Sequence, residues 1–289
     1  MIVVKITDGL GNQMFQYAYA KSLQICLSKN VYLDISDINN IRHNNQQDTQ
    51  WTRLCDRRQY ELDGFSISLP VIDEKKAIEM CRRSGDRSKF LNYCEQLRLL
   101  PTVYLKESEC RETGIRYTSY QNYYVEGYFF DKIYSDSIKN ALRKEFKLKK
   151  RLCLPKKIEE ILKTRNTVSL HIRRGDFLKV GRNISENNYY DRAIKYVENR
   201  LKDVFLLVFS DDIEWVRMNR KFKTEHLFIS NGEFTDNEEM TLMSMCSHNI
   251  IANSTFSYWG AWLNSNSKKL VIAPKGWRQK VIPESWIAL

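Results

Sequence analysis

The sequence predicts an α/β protein of parallel βαβ units, divided into two modest domains. From about residue 155 onward, short apolar runs alternate with stretches of helical spacing, the pattern of strands joined by crossover helices. Within that half, Val204-Phe205-Leu206-Leu207-Val208-Phe209 is apolar at every position, as a strand covered on both faces requires. The chain also opens as one such unit: Ile2-Val3-Val4-Lys5-Ile6, the turn Asp8-Gly9-Leu10-Gly11-Asn12, then a helical stretch from Gln13 to about Ser28.

A second parallel-type strand, Val31-Tyr32-Leu33-Asp34-Ile35, follows the opening unit. Asn39 to Thr52, with Asn39-Asn40, Asn44-Asn45 and Gln46-Gln47, reads as a polar surface loop. Strands are expected at 102–105 and 123–127, and a basic helix from Ser135 to about Leu148. Lys149-Lys150-Arg151, with Pro155 just beyond, reads either as a linker or as a solvated helix end. Taken as a linker, it sets domains at residues 1–152 and 153–289. In the second domain, strands at 167–172, 204–210, 226–230, 249–252 and 269–273 are separated by helices at about 187–201, 212–221, 236–247 and 255–265. The tail from Gly276 to Leu289 is expected to pack back on the first domain.

A chain of 289 residues that is 43% hydrophobic buries a sizeable core. Its formal charge of +11 implies acidic partners: nucleotides, nucleic acid or an anionic membrane surface. The seven cysteines (Cys26, Cys55, Cys81, Cys94, Cys110, Cys153, Cys246) are odd in number and lack any CxxC pair, which encodes neither a disulfide framework nor a zinc site. No apolar run approaches the ~20 residues that span a bilayer, and no export signal is visible. The expectation is a cytoplasmic protein, peripheral at the inner membrane face.

The chemistry concentrates at strand ends. His171-Ile172-Arg173-Arg174-Gly175-Asp176-Phe177 places two guanidiniums at the carboxyl end of a buried strand, where open α/β sheets bind ligands. Guanidinium suits phosphate or carboxylate oxygens; the bland alternative is a salt bridge to Asp176. After the strand Asn249 to Ala252, Asn253-Ser254-Thr255 supplies capping side chains to a helix through Phe256 and Trp262, whose free N–H groups form an anion site. The opening turn is a similar element, its glycines permitting positive φ and close backbone approach. Aromatic stripes at helical spacing, Tyr258, Trp259 and Trp262 and likewise Phe15, Tyr17 and Tyr19, read as core.

Four blocks together resemble the bacterial α-1,2-fucosyltransferases of glycosyltransferase family 11. They are Asp8-Gly-Leu-Gly-Asn-Gln-Met-Phe-Gln-Tyr-Ala18, His171-Ile-Arg-Arg-Gly-Asp-Phe177, Val208-Phe-Ser-Asp-Asp212 and Ile250-Ile-Ala-Asn-Ser-Thr-Phe-Ser-Tyr-Trp-Gly-Ala-Trp-Leu263. The HxRRxD block is shared with α-1,6- and protein O-fucosyltransferases, whereas the first and last point to this family. The resemblance implies a GT-B-like fold with two Rossmann-type domains facing a central cleft, the first on the acceptor side and the second binding GDP-fucose. It implies inverting transfer from GDP-β-L-fucose to the 2-hydroxyl of a galactoside, the glycan acceptor being free or lipid-linked.

Carried onto this chain, the resemblance implies Arg173 as the principal catalytic residue on the leaving β-phosphate, and Asp176 as nominee for the base. Arg174 holds the loop through a carboxylate or meets the acceptor, and is also counted with the donor-binding residues; Asp211 meets the ribose or orients Arg173. His171 and Glu239 are candidates for guanine, with Glu238 an equal alternative to Glu239. Gly11 and Asn12 face the diphosphate–fucose, and Asn253, Ser254, Thr255 and Phe256 complete the donor-binding set. Asp8 stands where the usual opening has glycine.

There is no DxD motif; Asp211-Asp212 are adjacent, and Asp236-Asn237-Glu238 reads as a helix start. No metal or other cofactor is therefore expected. His43 and His226 read as structural or solvated. Two alternatives stay open: a fucosyltransferase of another linkage, and a basic nucleotide- or nucleic-acid-binding protein without catalysis. Against a nucleic-acid partner, the cations are spread along the chain and no RRM, KH or zinc pattern occurs.

Overall fold

A computed structural model describes residues 1–38, 59–85, 102–112, 117, 121–184 and 187–289. The loop expected over residues 39–52, with His43, Cys55 and Cys94, lies outside them. The described residues fall into two compact units. One runs to Glu145; the other comprises Gly64–Ser66 and Phe146–Leu289.

In the first unit, β1 (Ile2–Lys5) leads to α1 (Leu10–Leu27) and β2 (Val31–Asp34). Then come α2 (Glu74–Gly85), β3 (Thr102–Lys106), α3 (Glu107–Glu112), β4 (Asn122–Glu126), α4 (Lys132–Asp136) and α5 (Lys139–Glu145). The strands form a parallel sheet in the order β2-β1-β4-β3, so the order reverses between β1 and β4. Leu10 to Ser22 of α1 is buried almost without interruption. Its polar groups are consequently satisfied inside: Lys21 pairs with Glu145 at 2.7 Å, and Gln16 Oε1 accepts from Thr7 N–H at 2.9 Å. The single basic helix expected over 135–148 is two short ones, because Ser137 N–H closes the first on Ile133 and the Ile138 carbonyl starts the second.

The second unit begins ahead of residue 153. Phe65 and Leu148 form an antiparallel bridge, with Ser66 N–H donating to Lys147 O (2.8 Å) and Lys149 N–H to Gly64 O (3.0 Å). The basic run Lys149-Lys150-Arg151 is thus held within this unit. Next come α6 (Lys156–Thr164), β5 (Asn166–Ile172), α7 (Gly175–Lys179), α8 (Tyr189–Glu198), β6 (Val204–Ser210), α9 (Ile213–Asn219) and β7 (His226–Phe228). The chain continues through α10 (Asp236–Met245), β8 (His248–Ile250), α11 (Thr255–Leu263), β9 (Val271–Ala273) and β10 (Ile287–Ala288).

The second sheet has the order β10-β9-β8-β5-β6-β7, parallel throughout. This is the doubly wound dinucleotide-binding arrangement, with its switch point between β5 and β8. Along β6, Leu206 and Val208 pack into the cluster holding Tyr189, Tyr190 and Val216. Phe205, Leu207 and Phe209 join Ile158, Ile161, Leu242 and Met243 on the other side. The tail ends as the edge strand of this same sheet, where Trp286 lies 5.3 Å from Tyr258. The aromatic stripe of α11, Tyr258, Trp259 and Trp262, is core, as are Phe15, Tyr17 and Tyr19 of α1.

Candidate active site

Parallel pairing sets the centre of the site. Ile172 of β5 stands opposite Ser210 of β6, so continuing that register brings Arg173 level with Asp211 and Arg174 level with Asp212. Each arginine meets its counterpart: Arg173 Nη1 lies 3.1 Å from Asp211 Oδ2, and Arg174 Nε donates to Asp212 Oδ2 at 3.1 Å. Arg174 N–H also donates to Asp211 Oδ1 at 2.8 Å, which fixes the chain as it leaves β5. Asp176, one turn on, accepts from Arg173 Nη2 at 2.6 Å. Gly175 permits this close approach, since a Cβ at that position would push against the Asp211 carboxylate.

The two arginines differ in what remains to them. The Arg174 guanidinium lies 3.6 Å above the Trp215 ring, besides its ion pair, and is buried. It ties β5 to α9. Arg173 is clamped by two carboxylates, yet its Nε is buried without a partner. A buried unsatisfied donor is costly unless a ligand meets it. His171 Nδ1 and Asn253 Oδ1 are likewise buried and unmatched. Burial, reinforced by Arg173, holds the His171 imidazole down at about 3, so it stays neutral; its ring lies 5.5 Å from Phe256. Burial pushes the Asp211 carboxyl up, against the pull of Arg173.

Across the switch point, β8 runs into α11. Ser254 is the N-cap, its hydroxyl accepting from Phe256 N–H at 3.3 Å, and Asn253 Nδ2 donates to Arg182 O at 2.8 Å. The cap is neutral, so the positive end of α11 remains electrostatically uncompensated by it. Tyr189 hydroxyl donates to Ile251 O at 2.7 Å and steadies the exit from β8.

Further along the carboxyl edge, Ser210 N–H donates to Ser230 Oγ (3.1 Å), and Ser230 Oγ donates to Glu239 Oε2 (2.8 Å). Burial, with Asp236 adding, pushes the Glu239 carboxyl up to about 7 against that hydrogen bond. Glu238 has a different task. It closes a capping box, accepting from Thr235 N–H at 2.9 Å while Thr235 Oγ1 accepts from Glu238 N–H at 3.4 Å. His226 is structural, its Nδ1 2.9 Å from Thr224 O and its ring against Phe222 and Phe228.

The opening turn departs from the expected anion cradle. Gly9 has φ −76, and the left-handed residue is Asp8 at φ 68. That conformation explains why glycine is the usual residue there. Asp8 offsets the strain locally: Oδ1 accepts from Gly9 N–H (2.8 Å) and Oδ2 from Asn12 Nδ2 (2.6 Å). The Glu61 carboxylate accepts from Leu10 N–H at 3.1 Å. Two carboxylates of the protein itself thus sit at the α1 start, and Gly11 lies buried in its first turn. Lys5, ending β1, is held by Asp37 (3.4 Å) and Glu126 (3.2 Å).

Asp212, Trp215, Ser210, Ser230 and Glu61 were not singled out from sequence. The aligned strand ends Arg173-Arg174 and Asp211-Asp212 carried a signal for the first of them; the others depend on loops whose course no spacing gives. Among the described residues, no group of three His, Cys, Asp or Glu side chains is placed to hold a metal ion. Nor is any helix among them long and apolar enough to cross a membrane.

The model of the glycosyl transferase family 11 matches residues 1–282. The chain belongs to glycosyltransferase family 11. Its relatives include the Escherichia coli O-antigen biosynthesis glycosyltransferase WbnK, 32% identical over 98% of this chain and 99% of that one. An Escherichia coli alpha-1,2-colitosyltransferase is 29% identical over 100% and 99%. Galactoside alpha-(1,2)-fucosyltransferase 1 of Rattus norvegicus is 32% identical over 35% of this chain and 29% of its own. Among solved structures, an Arabidopsis thaliana FUT1 variant in complex with GDP aligns at TM-score 0.51, with 11% identity, over 98% of this chain and 72% of that one. NodZ alpha-1,6-fucosyltransferase soaked with GDP-fucose aligns at 0.50, with 12% identity, over 91% of each. At such identities these neighbours establish the fold, which is GT-B-like. The family 11 chain is a glycosyltransferase.

Proposed function

We propose that this family 11 enzyme is an inverting, metal-independent transferase that moves L-fucose from GDP-β-L-fucose to the 2-hydroxyl of a terminal β-galactoside. The observation that carries this reading is Arg173, clamped by Asp176 and Asp211 at the β5/β8 switch point with Nε unmatched, beside the start of α11. Relatives named for α-1,2 transfer and neighbours holding GDP or GDP-fucose support it.

In this mechanism the acceptor oxygen attacks the anomeric carbon from the face opposite the diphosphate. The new glycosidic bond forms as the bond to the β-phosphate oxygen breaks, and the electron pair leaves with the diphosphate. Attack from the opposite face turns a β donor into an α product. Arg173 and the positive end of α11 stabilise the charge gathering on the leaving group. Asp211 orients Arg173. Asp176 is assigned the same positioning task, since its Oδ1 is taken by Arg173, and the acceptor proton passes to water. Were Asp176 the base, Asp176→Asn would flatten the acidic limb of the pH–rate profile with GDP affinity intact. As a positioning residue, its loss lowers GDP affinity and turnover together.

Asp211 and Asp212 are each engaged by an arginine, which supports metal independence. Glu239 reads guanine, its carboxylate accepting from the N–H edge of the base. Those donors pull its raised pKa back down, so GDP binding near pH 7 releases part of a proton, measurable by calorimetry in buffers of differing ionisation heat.

The decisive experiment incubates the protein with GDP-fucose and lactose in EDTA. A product fucosylated at the galactose 2-hydroxyl is expected. Activity only with manganese or magnesium, or neither transfer nor hydrolysis of GDP-fucose, refutes the reading. A second reading rests on the full-length colitosyltransferase relative: a donor lacking one ring hydroxyl of fucose. A site that hydrogen-bonds that hydroxyl rejects the deoxy sugar by about 10⁴, whereas an apolar pocket discriminates about 10²-fold at most, so the kcat/KM ratio for the two donors separates them.

A further inference from the structure

The carboxyl edge of the first sheet holds a different chemistry. The loop after β4 runs Gly127-Tyr128-Phe129-Phe130-Asp131, next to the strand end that opens into Asp8. Phe129 is buried with φ 54 and stacks face to face on Tyr19 of α1, ring centres 3.7 Å apart. Phe130 meets Phe15 of α1 edge-on at 5.2 Å. Tyr128 then stacks on Phe130 at 5.1 Å and 5°, and is 41% exposed. The loop is held from below by one carboxylate: Glu107 Oε2 accepts from both Tyr128 N–H (2.9 Å) and Phe129 N–H (3.0 Å). A side chain at Gly127 would collide with Glu107, so the glycine permits that approach. A large exposed aromatic ring is therefore fixed on a rigid support at the β1/β4 switch point, where parallel sheets place ligands.

The ligand such an edge takes is not a phosphate. Asp8 accepts from the N-cap Gly9 N–H and the Asn12 side-chain amide, Glu61 accepts from the first N–H of α1, and Lys5 is engaged by two carboxylates. Carboxylates accept from hydroxyl groups, and a partly exposed aromatic ring accepts C–H bonds; together they suit a neutral sugar. Galactose fits best, because its axial hydroxyl leaves the opposite ring face lined with C–H bonds. We propose that Tyr128 is the stacking platform for the terminal galactose of the acceptor, and a determinant of galactoside over glucoside choice. This assignment rests on the proposed transferase reading and names the acceptor-side residue for it.

The test compares wild type with Tyr128→Ala and Tyr128→Trp. The alanine variant should raise the acceptor KM about tenfold, the factor carried by one stacking contact. GDP-fucose hydrolysis without acceptor, GDP affinity and the melting temperature should stay unchanged, and Tyr128→Trp should restore the KM. An unchanged acceptor KM in Tyr128→Ala overturns the proposal, as does an equal loss of hydrolysis and transfer. Saturation-transfer NMR with methyl β-galactoside provides an arm independent of the donor. Contact to the sugar ring in wild type, lost in Tyr128→Ala, supports the platform even if fucose proves the wrong donor; no contact in wild type overturns it.

Discussion

The two parallel sheets each have a switch point, and the two are finished in opposite ways. At β5/β8, the helix that follows is capped by the neutral Ser254, and two arginines lie level with two aspartates. At β1/β4, the helix start is covered by the carboxylates of Asp8 and Glu61, and the neighbouring loop presents aromatic rings. On the proposed reading, the same backbone geometry serves an anion in one unit and a sugar in the other. The difference teaches that a strand-to-helix turn is only a frame: side chains at its rim decide the charge it accepts.

The largest effect that sharpens this contrast is expected at Arg173. Arg173→Ala should lower kcat/KM by about 10²–10³ or more, and Arg173→Lys should recover little, because an ammonium lacks the planar fork. Stability also falls, since Asp176 and Asp211 are left close together and unneutralised. Adding Asp176→Asn to Arg173→Ala should restore part of the melting temperature and none of the activity. Recovery of both together would make the arginine merely structural.

Gly175→Ala tests the same site without touching a charge. Its methyl group displaces the Asp211 carboxylate from Arg173 and from Arg174 N–H. GDP affinity, read by titration, should weaken about tenfold, as for loss of one charge-assisted hydrogen bond. Affinity equal to wild type would detach Asp211 from the donor site.

Glu239→Gln gives a smaller, pH-dependent effect. The carboxyl moves from an ordinary 4.5 to about 7 on folding, so between these values the folded protein holds a proton that the unfolded chain has lost. Stability therefore falls as pH rises through that window. Glutamine removes the cost: the melting temperature should match wild type near pH 4 and exceed it at pH 8, by on the order of 3 kcal/mol in stability. A gain of equal size at both pH values would assign the effect to packing.

The smallest effects belong to the first turn. Asp8→Gly relieves the left-handed backbone but loses two hydrogen bonds, leaving stability within about 0.5 kcal/mol, whereas Asp8→Ala keeps the strain and should cost about 1–2 kcal/mol. Thermal melts distinguish them. GDP affinity should not change in either, which a titration would contradict if the first turn were a phosphate site.

Much of the fold was legible because burial leaves a periodic trace. The unbroken apolar run of β6 announced a strand covered on both faces, and the runs ending before Arg173 and Asn253 announced the carboxyl ends of two buried strands. The second compact unit begins ahead of the basic run because the Phe65–Leu148 bridge joins residues far apart in sequence. The tail's course was hidden for a similar reason: pairing of Ile287 with Ile272 is a property of the assembled sheet edge.

By itself the sequence determined the βαβ alternation, the arginine pair at a strand end and the family. These rest on local periodicity and on residue types whose chemistry is fixed. Tertiary structure alone decided which carboxylates hold Arg173, that Glu238 caps a helix while Glu239 faces the strand edge, and that the opening turn is lined by Asp8 and Glu61. Such contacts depend on register and on loops folding back over many residues, where a shift of one residue exchanges one partner for another.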